Sequence, residues 1–274
     1  MKNKRILVLG TGFLGSQIKK TLDCRGSGKI INHFKDADAI VRAAMPKIII
    51  NCIGETGRRN VDDCETDKHK TLHANTVIPI ILGDIAYRYK IKLIHISSGC
   101  IFHYDYRKDA PITEEKNPDY FSLYYSRTKI YAEQALRSFF KRTNILIIRI
   151  RIPLDDKKHP KNLLTKLLGY KKIIDVPNSV TYIPDFLKAL KHLIAIDAKG
   201  IYHVALRDPL NYPFILEEYR KYDPSFTYTP IKPEKLGRNR TNLILSTRKL
   251  EKTGFNVRSI REVIPECVKK YVNS

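Results

Sequence analysis

The sequence predicts an α/β fold, a doubly wound parallel sheet with a smaller C-terminal substrate-binding region, and three observations carry that prediction. The first is a short apolar run, Arg5-Ile6-Leu7-Val8-Leu9, that passes directly into Gly10-Thr11-Gly12-Phe13-Leu14-Gly15. The second is the alternation of such runs with helical stretches as far as Ile152, which implies βαβ units and strands laid parallel. The third is the change of pattern at Pro153, after which Pro153, Pro160, Pro177 and Pro184 divide the chain into short apolar pieces.

The elements follow in order. Residues 5–9 read as a buried strand, and the G-x-G-x-x-G after them opens a helix over 13–22. Glycines at these spacings serve a tight turn, close approach of backbone to a pyrophosphate and close helix–strand packing. The helix N-terminus adds amide donors, so Gly10, Gly12, Phe13, Leu14 and Gly15 are read as dinucleotide-binding. The second strand is expected near 29–33. Its end, Asn32-His33-Phe34-Lys35, lacks the acid that holds an NAD ribose and offers His33 and Lys35 to a 2′-phosphate. NADPH is therefore expected ahead of NADH; the alternative is that Asp36 or Asp38 does the NAD work in another register. A helix over 36–44, a strand over 48–54 with a turn at its end, and a long helical stretch over 61–89 interrupted near Pro79 come next. A strand over 92–97 delivers Ser98-Gly99-Cys100 to its carboxyl end, where open parallel sheets hold ligands. A polar loop over 105–119, a helix over 122–140 and a strand over 144–152 complete the first part. Residues 154–183 and 207–274 are read as the substrate-binding region, and 184–206 as a return to the domain formed by 1–153. Helices are expected over 186–196, 213–221 and 259–271, with a strand over 200–205.

The chain has 274 residues, 43% of them hydrophobic, enough for one large domain or one and a half. No apolar run approaches membrane-spanning length, and the basic start at Met1 to Arg5 leads into too short a run for a signal segment. Five scattered cysteines without a Cys-x-x-Cys pair argue for a reducing, cytoplasmic setting and against zinc or a disulfide framework. The eight histidines form no ligand spacing, so no metal is expected. The net charge of +22 admits an anionic partner, but the basic residues are spread evenly, with no arm and no aromatic–basic interleaving. Nucleic acid accordingly ranks last among partners.

Tyr125 and Lys129 have the spacing that sets both side chains on one helical face, where the ammonium favours phenolate and lowers a pKa otherwise about 10. The same spacing recurs at Tyr104/Lys108 and Tyr228/Lys232. Pro230 disqualifies the last as a helix, and the first lies in the polar loop, so Tyr125/Lys129 is the pair of interest.

These motifs together resemble the extended short-chain dehydrogenase/reductase family, in the glycine turn, Asn51-Cys52-Ile53-Gly54, Asn75, the Ser98 tip and Tyr125-x-x-x-Lys129. More narrowly, the chain is similar to the nucleotide-sugar 3,5-epimerase/4-reductases of UDP-rhamnose formation. That likeness runs through 56–65, Ser98 to Asp105, Arg149-Ile150-Arg151-Ile152-Pro153, 159–166 and 176–181. Ser98 stands where those enzymes usually carry Thr, and Arg59 where they carry Pro.

The resemblance implies a Rossmann domain and a UDP- or dTDP-linked 4-keto-6-deoxy sugar as substrate. It assigns Tyr125 as proton donor to the C4 oxygen, Ser98 as that oxygen's hydrogen-bonding partner, and Lys129 as the cation that tunes Tyr125 and holds the nicotinamide ribose. Cys100 and Lys166 become the acid–base pair acting at C3 and C5. Their reference pKa values of about 8.5 and 10.4 can be tuned toward neutrality. Asn51, Gly54 and Asn75 join the cofactor site, and Asn162, Arg240 and Asn242 the diphosphate environment. A homodimer through the long helices is the assembly the resemblance suggests. The alternatives are a reductase without epimerase activity, the same chemistry on a 2-acetamido sugar, and a catalytically silent NADPH-binding protein.

Overall fold

The computed structural model describes residues 3–58, 60–232 and 241–274. β1 (Asn3–Leu9) enters the glycine turn and α1 (Phe13–Thr21) leaves it. Lys19 and Lys20 in the last turn of α1 complement the helix dipole, and Asp23, at φ 43°, turns the chain into β2 (Cys24–Ser27).

The second strand thus lies earlier than the 29–33 expected from sequence. Cys-Arg-Gly-Ser carries no strand pattern, whereas Ile30-Ile31 does. What decides is connectivity: α1 ends at Thr21, and the Ser27 carbonyl accepts the Gly10 N–H at 3.0 Å, so β2 finishes level with the glycine turn. Ile31 is buried in the core as a loop residue, while Ile30 is 79% exposed.

α2 (Phe34–Ala44) ends at Met45 in the left-handed region, and β3 (Ile48–Asn51) follows. The stretch expected as one interrupted helix is a 3-10 turn (Val61–Glu65), α3 (Lys68–Leu72), a π-helical turn (His73–Val77) and α4 (Ile78–Tyr89). Pro79 lies at the start of α4, where its missing N–H falls beside a turn already out of α-helical register. β4 (Lys92–Ser98), α5 (Tyr124–Arg137) and β5 (Ile145–Ile150) come next. Beyond them lie β6 (Pro153–Leu154), α6 (Leu163–Leu168), β7 (Lys172–Ile174), β8 (Thr181–Tyr182), α7 (Ile183–Ala195) and β9 (Gly200–Val204). The chain closes with α8 (Tyr212–Arg220), β10 (Thr229–Ile231), α9 (Arg248–Glu251) and α10 (Ile260–Val272).

The main sheet has the order β2-β1-β3-β4-β5-β9, with β1 parallel to both β2 and β3, and β3 parallel to β4. The chain passes from β2 back across β1 to reach β3, so the carboxyl ends of β1 and β3 form the topological switch point where such sheets bind ligands. All seven residues of β4 are buried, as expected for a strand covered on both faces.

Backbone packing divides the chain into two units. The first comprises 1–101, 120–149 and 191–202, the second 102–119, 150–190 and 203–274. The core of the first joins Leu7, Leu9, Ile49, Leu93 and Ile147 of the sheet to Val41, Leu82, Ile85 and Leu136 of its helices. The second is built on Leu154, Leu164, Leu167, Tyr182, Ile215, Ile264 and Val268, with small parallel pairings β6–β8 and β7–β10. This division differs from the one read in the sequence at 102–119 and also at 150–153, 184–190 and 203–206, all of which pack within the second unit. The 102–119 loop is tied into the second unit by a bridge from Ile112 to Leu245 and by Glu114, whose carboxylate accepts the His203 N–H at 2.9 Å.

Candidate active site

The glycine turn has the shape a dinucleotide needs. Gly10 has φ 86°, and a Cβ there would stand 2.8 Å from the Ile53 nitrogen. One on Gly15 would stand 1.9 Å from the Gly10 carbonyl oxygen. These two glycines let β1, α1 and the turn after β3 close on one another. Gly12, the residue that starts α1, is different: a Cβ there meets nothing within 4 Å. Its side faces open space at a helix N-terminus, the position at which folds with this motif receive a pyrophosphate. Phe13 and Leu14 form the first turn of α1, each half-buried.

Both acids that could serve an NAD ribose are committed elsewhere. Asp36 Oδ2 accepts the backbone N–H groups of Asn32 at 2.8 Å and His33 at 3.0 Å, which holds its carboxyl below the usual range. Asp38 accepts the Tyr89 hydroxyl at 2.5 Å and pairs with Arg42 at 3.1 Å. Lys35 is exposed on the first turn of α2, eight residues beyond the end of β2. Because β2 ends at Ser27, the position nearest its carboxyl end is Gly28-Lys29, with Lys29 exposed.

Behind the glycine turn the Asn51 side chain works inward. Its Oδ1 accepts the Ile53 N–H at 3.0 Å, shaping the turn after β3, and its Nδ2 lies 3.1 Å from His95 Nδ1. An amide nitrogen can only donate, so the ring proton of His95 lies on Nε2. Burial, and then the charge of Lys129, push His95 well below its ordinary value, so the ring is neutral. The side chain of Asn51, read as a cofactor ligand, is engaged with the Ile53 N–H and the His95 ring.

Gly54 marks where several groups meet. A Cβ on it would lie 3.2 Å from both Asn75 Oδ1 and Lys129 Nζ. Asn75, buried in the π-helical turn, clamps this strand end: its Oδ1 accepts the Glu55 N–H at 2.8 Å. Its Nδ2 donates to the Glu55 carbonyl at 2.9 Å and to Thr128 Oγ1 at 3.2 Å. A π turn widens the helix locally, and such turns recur at functional sites.

Tyr125 and Lys129 are both buried on α5, one turn apart. Burial pushes the Lys129 ammonium down to about 8 against the opposing pull of Glu133. The helix has no cap from its own preceding side chain. Instead Glu65, in the 3-10 turn, accepts the Tyr124 N–H at 2.7 Å. Ser126 Oγ donates to the Cys100 carbonyl at 2.5 Å, joining the first turn of α5 to the tip of β4. At that tip, buried Ser98 accepts the Cys100 N–H through Oγ at 3.0 Å, which leaves its hydroxyl proton to donate. Cys100 is half-buried. Ser126, Thr128, Glu65 and Glu133 were not singled out in the sequence; for Glu133 the signal was present, four residues beyond Lys129.

The remaining candidates belong to the second unit. Lys166 lies on α6, half-buried, its ammonium pushed down by burial and then by the charge of Lys161. Asn162 does not fit the phosphate role read for it. Its Oδ1 accepts from the Asp155 and Leu164 N–H groups, and its Nδ2 donates to the carbonyls of Asp155 and Lys157. All four bonding positions of the amide therefore hold backbone at the start of α6. Asn242 Oδ1 accepts from Asn178 Nδ2 at 2.9 Å, and Asn178 Oδ1 accepts from buried Arg151 at 2.9 Å, so Asn178 organises this loop. Arg240 and Arg59 lie outside the described residues. Among the described residues no cluster of His, Cys, Asp and Glu has metal-binding geometry, and no helix is long and apolar enough to cross a membrane.

Residues 4–273 match the family model of the RmlD substrate binding domain. The chain is 31% identical to a bifunctional dTDP-4-dehydrorhamnose 3,5-epimerase/dTDP-4-dehydrorhamnose reductase of Arabidopsis thaliana, across 94% of this chain and 90% of that one. It is 30% identical to the trifunctional UDP-glucose 4,6-dehydratase/UDP-4-keto-6-deoxy-D-glucose 3,5-epimerase/UDP-4-keto-L-rhamnose-reductase RHM2 of the same plant. There it spans 96% of its own length but 42% of the relative's. Among solved structures, the L780 UDP-rhamnose synthase of Acanthamoeba polyphaga mimivirus superposes with a TM-score of 0.88 at 24% identity, over 97% of this chain and 98% of that one. A dTDP-4-dehydrorhamnose reductase from Bacillus anthracis, in complex with NADP, gives 0.82 at 20% identity over 100% and 99%. At these identities the structures establish the fold.

Proposed function

The chain belongs to the RmlD substrate binding domain family and is an oxidoreductase, and on that premise we propose that it reduces the 4-keto group of a nucleotide-linked 4-keto-6-deoxy sugar with NADPH. The same site epimerises the sugar at C3 and C5, which makes the preferred substrate UDP-4-keto-6-deoxy-glucose and the product UDP-rhamnose. The observation that carries this reading is the joining of the Tyr125/Lys129 helix face to the tip bearing Ser98 and Cys100, through the bond from Ser126 to the Cys100 carbonyl.

The Gly10–Gly15 turn and the N-terminus of α1 would hold NADPH, which would supply the hydride for C4. Tyr125 gives its phenolic proton to the C4 oxygen, and Ser98 donates a hydrogen bond to that oxygen as negative charge develops. The Lys129 ammonium stabilises the phenolate left on Tyr125, and the Asn75 clamp fixes the Gly54-Glu55 backbone beside it. The 2′-phosphate preference rests on the commitment of Asp36 and Asp38 to other partners and on exposed lysines near the end of β2.

Epimerisation uses the acidity that a 4-keto group confers on the C3 and C5 protons. One member of the Cys100/Lys166 pair removes such a proton, the carbonyl takes the electron pair as an enolate, and the other returns a proton on the opposite face. Burial of Lys166 favours its role, since it moves the ammonium toward the range where an amine exchanges protons at neutral pH.

The test is incubation of UDP-4-keto-6-deoxy-glucose with the enzyme in deuterated water without NADPH, read by NMR. Deuterium should enter at C3 and C5, and Cys100→Ser and Lys166→Met should each block entry. Absence of incorporation by the wild type would leave the reduction alone standing.

A further inference from the structure

On the face of α5 that carries Tyr125 and Lys129, Glu133 follows one turn beyond Lys129, and its side chain is fully buried. Two strands hold its carboxylate. Ser97 of β4 donates to it at 2.6 Å, and Arg149 of β5 donates from Nε at 3.0 and 3.1 Å and from its terminal nitrogen at 2.6 Å. Ser97 is the neighbour of Ser98, so this carboxylate also fixes α5 against the strand that ends in the site.

The groups that face Lys129 come from four elements. They are Glu133 on its own helix, Cys52 after β3, Cys64 in the 3-10 turn and His95 on β4. Burial pushes the Cys52 thiol up to about 12, so it stays protonated, and His95 is neutral. Among these groups Glu133 supplies a formal negative charge, in direct contact with the positive charge of Arg149, which is itself buried. Arg137, farther along α5, also feels both members of that pair.

We propose that Glu133 is a positioning residue that holds Lys129 in its charged form, and that Arg149 limits how much of the carboxylate's field reaches Lys129. The inference rests on the assignment of Tyr125 and Lys129 to proton donation. It separates two roles that a buried ion pair combines. A brace is weakened alike by loss of either partner, whereas a field changes in opposite directions when the negative or the positive partner is removed.

The experiment is the pH dependence of kcat/KM for NADPH oxidation with UDP-4-keto-6-deoxy-glucose, whose basic limb reports proton loss from the coupled Tyr125/Lys129 pair in the free enzyme, both members of which feel the field at Lys129. Glu133→Gln should move that limb down by about one pH unit, and Arg149→Met should move it up by about half a unit or more. Glu133→Asp, which keeps the charge, should leave it within about 0.3 unit of wild type. If either single variant fails to fold, the double variant Glu133→Gln/Arg149→Met leaves no unpaired buried charge, and its limb should still lie below that of wild type. Limbs that do not move, or that move the same way in both single variants, overturn the proposal while leaving the reductase reading intact. An inactive wild type, or full turnover by Tyr125→Phe, overturns the reading itself.

Discussion

Ser126 Oγ donates to the carbonyl of Cys100 at 2.5 Å, and this bond makes the first turn of α5 and the tip of β4 one construction. Tyr125 stands one residue before the donor and Ser98 two residues before the acceptor. Ser126→Ala should therefore lower kcat by about 10- to 100-fold, the cost of small misplacement of reacting groups, while leaving NADPH affinity within about twofold. Steady-state kinetics with cofactor titration checks it; an equal loss in both quantities would mean the bond supports the fold rather than the site.

Gly12 and Gly15 look alike in the motif and should fail differently. Gly15→Ala forces a Cβ to within 1.9 Å of the Gly10 carbonyl oxygen, so the protein should lose thermal stability with or without cofactor. A Cβ on Gly12 meets no protein atom within 4 Å, so the melting temperature of Gly12→Ala should stay near that of wild type while NADPH raises it much less. Thermal melts with and without NADPH separate the two. A Gly12 variant that is stabilised by NADPH as wild type is would place the pyrophosphate elsewhere.

The end of β2 at Ser27 moves the expected 2′-phosphate contact back along the chain. Lys29 stands two residues past the strand, about 20 residues after the first motif glycine, where the ribose partner of such folds is found. Lys29→Ala should raise KM for NADPH by about tenfold, more than Lys35→Ala does, with little change in KM for NADH. Equal KM values for the two cofactors in the wild type would remove the basis for NADPH preference.

Much of this architecture was legible because local pattern and global fold agree at the elements that matter. The apolar run before Gly10, the helix after Gly12 and the Tyr125/Lys129 helix all have the periodicity of the structure they adopt. β2 was not legible, since Cys24-Arg25-Gly26-Ser27 is a strand by pairing with β1 rather than by composition. The π turn within 61–89 was hidden because that stretch reads as largely helical up to Pro79, and its contacts, the clamp from Asn75 to Glu55 and Thr128 and the bond from Thr76 to the Thr128 carbonyl, appear only in three dimensions. Asn162 was misread because a side chain that caps a helix and one that binds phosphate look the same in sequence. Its four backbone bonds appear only in three dimensions. The bond from Glu65 to the Tyr124 N–H spans 59 residues and has no local signature.

The most direct measurement of the central claim is the fate of the hydride. NADPH carrying deuterium on the transferable position of its nicotinamide should be oxidised in the presence of UDP-4-keto-6-deoxy-glucose, and the product should carry that deuterium at C4 of the sugar, as read by NMR. Tyr125→Phe should bind the cofactor and transfer about 100- to 10,000-fold more slowly. NADPH oxidation without deuterium at C4, or transfer undiminished in Tyr125→Phe, would contradict the account.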